Sequence, residues 1–147
     1  MKNMTLLHQI VWGSTFLALC FLVEILLLTW CTVTIIKWDE KWSAKGVFFG
    51  TATPIAVSLA FIVATHTIQV WIWAIVWVLL EVLPDWNSAI YFSLVTFTTL
   101  GYGDIVLGEG LRIFGSFAAV AGLLAFGLST AYLVAMMTRV FQEKFFT

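Results

Sequence analysis

Apolar residues fall in three long runs that are separated by shorter polar segments. The runs cover residues 6–36, 47–83 and 111–141, and each exceeds the ~20 residues that a helix needs to cross a bilayer. The pattern therefore predicts an all-α membrane protein with three transmembrane helices per chain.

A shorter segment lies between the second and third runs. After the turn signal at Pro84, Asp85 or Asn87 can cap a helix over residues 88–98, and this helix is too short to cross a bilayer. We expect it to enter the membrane and turn back. Backbone that leaves a helix at membrane depth needs surrounding protein or a water-filled cavity, which an oligomer can provide.

Composition agrees with a membrane location. Hydrophobic residues make up 62% of the chain and charged residues 10%, with a formal net charge of −1, which is outside the range of soluble globular domains. We therefore expect membrane lipid as a partner and no nucleic acid. The dense charge cluster at residues 37–45 is predicted to be a short loop.

Basic residues near the helix ends indicate the orientation, because they concentrate on the cytoplasmic side. We expect a multi-pass protein of the cell membrane, with the bacterial inner membrane as its location, a cytoplasmic C-terminus and an N-terminus outside. Lys2 opposes this assignment. The residues compared are Lys37, Lys41, Lys45, Arg139 and Lys144 on the cytoplasmic side, against Lys2 and Arg112.

The stretch at residues 98–104 reads TTLGYGD. Its paired threonines, its two glycines around one aromatic residue and its trailing acid resemble the selectivity filter of the potassium channel family, TVGYG. A Gly-rich turn between two helices is the simpler alternative, but the short helix before it and the long apolar helix after it favour the filter. A ladder of carbonyls aimed at one axis requires alternating backbone handedness, which explains Gly101 and Gly103.

The resemblance covers about residues 84–138 and implies a single-pore-loop potassium channel: a two-helix pore core with one extra N-terminal helix. On this interpretation residues 1–46 hold the extra helix and its loop, and residues 47–147 form the pore domain. One pore loop per chain implies a homotetramer with the re-entrant helix and filter between the second and third helices. K⁺ would bind at Thr99, Leu100, Gly101 and Tyr102, and Gly103 would complete the filter.

Support for the filter is also implied by the resemblance. The family pairs the acid that corresponds to Asp104 with an aromatic donor on the pore helix, which here is Tyr91. An Asp104 that is simply solvated is the alternative. Leu100 departs from the usual Val, so carbonyl chemistry survives but the rigidity of the filter is in question.

The third helix resembles the inner helix of simple bacterial potassium channels. Gly122 matches a hinge position there, although close helix packing explains a glycine about as well. By the same resemblance, the cavity and the inner gate would be lined by Leu123, Phe126, Thr130 and Val134.

Glu24 and His66 lie deep in apolar helices, where ionisable residues indicate function. They could form a pH-sensitive pair, or each could be satisfied separately by a polar neighbour. We expect a potassium-selective channel with no enzymatic activity and no cofactor other than the conducted ion. The alternatives are a non-selective cation channel and, less favoured, a small metal-binding or sensor protein built around Glu24, His66 and two cysteines.

Overall fold

The computed structural model describes residues 4–44 and 46–145, with side chains as far as Gln142. In this part the chain forms four helices: α1 (Leu6–Ser43), α2 (Val47–Leu79), α3 (Trp86–Phe97) and α4 (Arg112–Phe145). Three of them are long and apolar enough to cross a membrane, at Leu6–Ser43, Val47–Leu79 and Arg112–Gln142. The predicted all-helical class is confirmed, and three long apolar helices lie where the three spans were predicted.

The charge cluster after residue 36 is helical, so the predicted loop is wrong. α1 continues to Ser43 because residues 37–43 contain no glycine or proline that would break it. The ammonium of Lys41 also lies 4.2 Å from the centre of the Trp38 ring, one turn earlier. The chain turns only at Gly46, whose φ is 107°. Lys2 and Lys45, which entered the prediction of orientation, lie outside the described residues, and so does the side chain of Lys144.

α2 ends at Leu79, four residues before the end of its apolar run. Glu81 takes a left-handed conformation with φ of 54°. Its N–H donates to the carbonyl of Val78, and the N–H of Val82 donates to the carbonyl of Trp77, each at 3.0 Å. This is the pair of bonds of a Schellman motif. Local backbone hydrogen bonding thus ends the helix while the sequence is still apolar.

α3 begins with a side-chain cap. Asp85 has an extended backbone, and its carboxylate accepts the N–H of Ser88 at 2.9 Å and the Ser88 hydroxyl at 2.8 Å. Of the two predicted caps, Asp85 is therefore the one in place. These bonds hold the pKa of the Asp85 carboxyl below its usual value.

The described residues group into two compact units. The first joins the chain up to Val23 with His66–Ala125, and the second joins Glu24–Thr65 with the chain from Phe126 onward. In the first unit, Trp73 and Trp77 stack with ring centres 5.7 Å apart, and Phe114 meets the Trp77 ring edge-on at 5.5 Å. In the second, Cys31, Ile35, Met136 and Val140 form the buried core.

Within the first unit, α1 caps the beginning of α4. The Gln9 side chain is buried, and its Oε1 accepts the N–H of Ile113 at 3.1 Å and of Phe114 at 3.3 Å. Its Nε2 donates to the carbonyl of Met4 at 3.2 Å. The first N–H groups of a helix have no partner within it, so Gln9 supplies from another helix what a cap residue would supply locally.

We predict that Gln9→Leu lowers the free energy of unfolding by ~1–3 kcal/mol, because it strands buried N–H groups without an acceptor. Gln9→Glu keeps an acceptor for both N–H groups and places a negative charge at a helix N-terminus, but it removes the donor to the Met4 carbonyl, so its loss should be smaller than that of Gln9→Leu. Thermal unfolding of the purified protein in detergent measures both. Equal stability of parent and Gln9→Leu would show that the cap contributes nothing.

Candidate functional site

The backbone after α3 alternates in handedness. φ is positive at Thr99 (60°), Gly101 (56°) and Gly103 (80°), but not at the intervening Leu100 and Tyr102. Such alternation rotates successive peptide planes so that their carbonyls can point to one side of the chain. The alternation expected from the glycine spacing is therefore present across residues 99–103.

Thr99 is the residue in this run that the sequence did not identify as left-handed. A β-branched residue at positive φ is a backbone outlier, and such strain costs on the order of 1–3 kcal/mol and clusters at functional sites. The preceding turn holds it in place. The N–H of Thr99 donates to the backbone carbonyl of Thr96 at 2.9 Å. The N–H groups of Leu100 and Gly101 both donate to the carbonyl of Val95, at 3.0 and 3.1 Å.

Residues 98–104 are exposed on the first unit. Leu100 is 55% exposed and Tyr102 is 67% exposed, and a Cβ added to Gly101 or Gly103 would meet no atom within 4 Å. The glycines are therefore required by the backbone conformation and not by crowding. Leu100 and the ring of Tyr102 are thus left largely uncovered by their own chain. Exposed apolar side chains of this kind mark a surface suited to contact with another molecule.

Tyr91 and Asp104 are brought together as the resemblance implied. The Tyr91 hydroxyl donates to Oδ2 of Asp104 at 2.6 Å, and Oδ1 accepts the N–H of Ile105 at 3.1 Å. The bond to Tyr91 holds the pKa of the Asp104 carboxyl below its usual value, and the same bond raises the pKa of the Tyr91 phenol. The bond ties the end of the 98–104 stretch to the middle of α3.

Gly122 lies directly against the end of α3. A Cβ built on it would fall 1.7 Å from the Phe97 carbonyl oxygen, a separation that no side chain can adopt. Close packing therefore accounts for this glycine, and the hinge role stays a prediction. The contact places α4 directly behind the turn that leads into residues 98–104.

The four predicted cavity residues on α4 are exposed. In the first unit Leu123 is 63% exposed. In the second unit Phe126, Thr130 and Val134 are exposed, with Val134 at 59%. The Thr130 hydroxyl donates to the Phe126 carbonyl at 2.7 Å. These residues are thus available to face a cavity or a second chain, and their role stays a prediction.

Glu24 and His66 fall in different units. Glu24 is fully buried, and its Oε1 accepts the hydroxyl of Ser129 on α4 at 2.6 Å. The His66 ring lies with its centre 6.0 Å from that of Phe97. The pairing of Glu24 with His66 stays a prediction. Ser129 is a polar partner that sequence reasoning did not single out, because a serine on an apolar helix is also common as a small packing residue.

The metal-binding alternative needs several ligands at one place. Within residues 4–44 and 46–145 there is no group of three or more His, Cys, Asp or Glu side chains that could hold a metal ion. Cys20 and Cys31 are both buried, the first in the core of the first unit and the second in that of the second.

No solved structure matches this chain. A family model described as "Ion channel" matches residues 60–139, which is more than half of the chain. The matched region contains the second half of α2, all of α3, the 98–104 stretch and α4 as far as Arg139. The chain therefore belongs to this ion-channel family, whose model describes the two-helix pore of potassium channels.

Proposed function

We propose that this ion-channel protein conducts potassium selectively through a filter formed by residues 99–103. The observation that carries the proposal is the alternating handedness at Thr99, Gly101 and Gly103. A filter of this kind replaces the hydration shell of the ion with rings of backbone carbonyls. K⁺ would bind at the carbonyls of Thr99, Leu100, Gly101 and Tyr102, with the Thr99 hydroxyl completing the innermost site.

The filter requires several copies of the chain, because one strand of carbonyls cannot surround an ion. We infer a homotetramer in which α3 re-enters the membrane and Leu123, Phe126, Thr130 and Val134 line the cavity below the filter. Support comes from the exposure of Leu100, Tyr102 and the α4 residues in the single chain. The C-terminal end of α3 would direct its partial negative charge toward that cavity and favour a cation there.

A non-selective cation channel is the second candidate, and Leu100 is the observation that favours it. Leu100 stands where TVGYG has Val, and its side chain is longer and is not branched at Cβ. It could loosen the filter wall while leaving the carbonyls in place. Such a channel would keep the carbonyl ladder but lose discrimination by ion size. The two candidates differ in their sodium permeability.

We predict that protein reconstituted in liposomes passes potassium in preference to sodium. Gly101→Ala should reduce this flux or its selectivity, because an added Cβ strains a backbone with φ of 56° although it meets no atom within 4 Å. Gly108→Ala, which also meets no atom within 4 Å and is not left-handed, is the matched control. Native mass measurement of the same preparation should give a tetramer.

Each contrary result has its own meaning. Equal fluxes of the two ions would select the non-selective channel, whereas the absence of any cation flux, or a monomer or dimer as the sole species, would refute the channel proposal. A loss of flux in Gly108→Ala equal to that in Gly101→Ala would mean that the left-handed backbone is not what the filter depends on.

We predict that Tyr91→Phe and Asp104→Asn each alter conduction while leaving assembly intact, because each removes one end of the bond that braces the filter. Since both act on one bond, the double mutant should lose little more than either single mutant. Single-channel recording measures this, and additive effects would mean that the bond does not operate in the conducting state.

The same bond sets a window of pH. Because the pKa of Asp104 is lowered, the stabilisation that this bond provides is fully present above about pH 4. It is lost as the pH falls through the lowered pKa of Asp104. The raised pKa of Tyr91 means that the bond survives above pH ~10 and is lost as pH rises through the raised value. Ultraviolet titration of tyrosinate, with Tyr91→Phe as the reference, should show Tyr91 ionising at lower pH in Asp104→Asn.

We further propose that Glu24 and His66 confer pH sensitivity on gating. The buried Glu24 carboxylate accepts the Ser129 hydroxyl, and protonation would turn one acceptor oxygen into a donor, which changes how α1 packs on α4 in the second unit. Glu24→Gln and His66→Gln should therefore shift the pH profile of open probability without changing the potassium-to-sodium ratio. If both variants keep the pH profile of the parent, or if the open probability of the parent does not depend on pH, this proposal is wrong.

A further inference from the structure

An apolar cavity lies in the first unit where α1, α2 and α4 meet near their ends. Its volume is about 170 Å³, and its lining is entirely apolar. The walls are formed by Met4 before α1, Trp12 and Phe16 of α1, Val76 and Leu79 of α2, Leu80 just after α2, and Phe114 of α4. The 98–104 stretch contributes nothing to this cavity, so it is separate from the site described above.

Water does not fit this cavity chemically, although it would fit by size. A buried water requires two to four polar partners, and the lining offers none. Left empty, the lining side chains would lose dispersion contacts on one side. The cavity is therefore suited to an apolar occupant.

Two of the residues that line the cavity are exposed on helices that could lie in lipid. Leu79 is 76% exposed and Trp12 is 46% exposed, and both belong to helices long and apolar enough to span a membrane. Leu79 is the last residue of α2, so this side of the cavity lies near a helix end, where exposed tryptophans accompany the membrane interface. The apolar molecule present at high concentration at that depth is a lipid acyl chain.

We propose that this cavity binds one acyl chain of a membrane lipid, with the polar end of the lipid at the level of Trp12. Two of its walls, Trp12 and Phe16, precede the region that matches the ion-channel family, which begins at residue 60. The site therefore depends on α1 together with residues of the matched region.

An occupied cavity would strengthen the packing of α1 on α4. Phe114 lines the cavity, its N–H donates to the buried Gln9 side chain, and its ring packs against Phe16 with centres 5.9 Å apart. An acyl chain there would contact the Phe16 and Phe114 rings that join the two helices. Lipid binding should consequently raise the thermal stability of the whole chain.

The test uses the full chain, stripped of lipid in mild detergent and then mixed with a phosphatidylcholine that carries two oleoyl chains. Val76→Phe fills the cavity from a buried position near the end of α2. Val63→Phe makes the same change on α2 at a position that is 64% exposed and does not line the cavity. Val76→Ala enlarges the cavity. Native mass spectrometry measures bound lipid, and thermal unfolding measures the rise in Tm on lipid addition.

We expect the parent, Val63→Phe and Val76→Ala to retain a lipid adduct and to gain Tm with lipid, and Val76→Phe to lose both. Leu80→Phe, a second filling variant, should behave like Val76→Phe if the latter fails to fold. Equal adducts and equal Tm gains in the parent and the folded filling variant would overturn the proposal.

A direct measurement does not depend on any variant. When the protein is prepared with phosphatidylcholine brominated on its acyl chains, an experimental structure should show bromine density inside the cavity lined by Trp12, Phe16 and Phe114. A cavity that contains only detergent, or no bromine density there when bulk lipid around the particle is brominated, would equally overturn the proposal. The result of the potassium-selectivity experiment does not decide the acyl-chain proposal, because the cavity and the filter use different residues.

Discussion

Backbone polar groups at the helix ends impose the strictest constraint on this chain. Three of its helices are apolar enough to span a bilayer, where an unpaired N–H or carbonyl is expensive. Each helix end near the 98–104 stretch is satisfied by a specific device: the Schellman bonds around Glu81, the Asp85 cap of α3, the Val95 carbonyl that takes two N–H groups, and Gln9 at α4. These devices decide where each helix stops and hence where the connecting segments lie.

The 98–104 stretch carries backbone strain that its surroundings must support. Thr99 is left-handed without being a glycine, and it follows directly on the end of α3, which packs against Gly122 of α4 without room for a methyl group. At its other end the stretch is tied by Asp104 to Tyr91. Strained backbone conformations of this kind cluster at active sites, ligand clamps and switch regions.

The first helix is part of the packing around this site and not a separate attachment. Its N-terminal half belongs to the same compact unit as α3 and the 98–104 stretch. Gly13 allows α1 to approach the Phe117 ring so closely that an added Cβ would fall 2.2 Å from it, and Gln9 caps α4. The helix that lies outside the matched family region thus contributes to holding α4 in position.

The sequence by itself determined the membrane class, the three spanning helices and the 98–104 stretch. These follow from run length, composition and the spacing of Gly101 and Gly103, which are local properties that require no partner. It also identified Tyr91 and Asp104, through the resemblance of a motif and not through any visible periodicity. The N-cap of α3 was predicted to be either Asp85 or Asn87, because cap preferences are local as well.

Only the tertiary structure decided the remainder, because it depends on contacts between residues far apart in the chain or on backbone conformation that side chains do not encode. Nothing in the residue types of 37–43 distinguishes a charged loop from a helix that continues into water, and Glu81 is not a residue type that signals a left-handed turn. Gln9 meets Ile113, Ser129 meets Glu24, and Phe97 leaves no room beside Gly122. Each of these contacts arises because helix packing brings together side chains or backbone groups that the sequence keeps many residues apart.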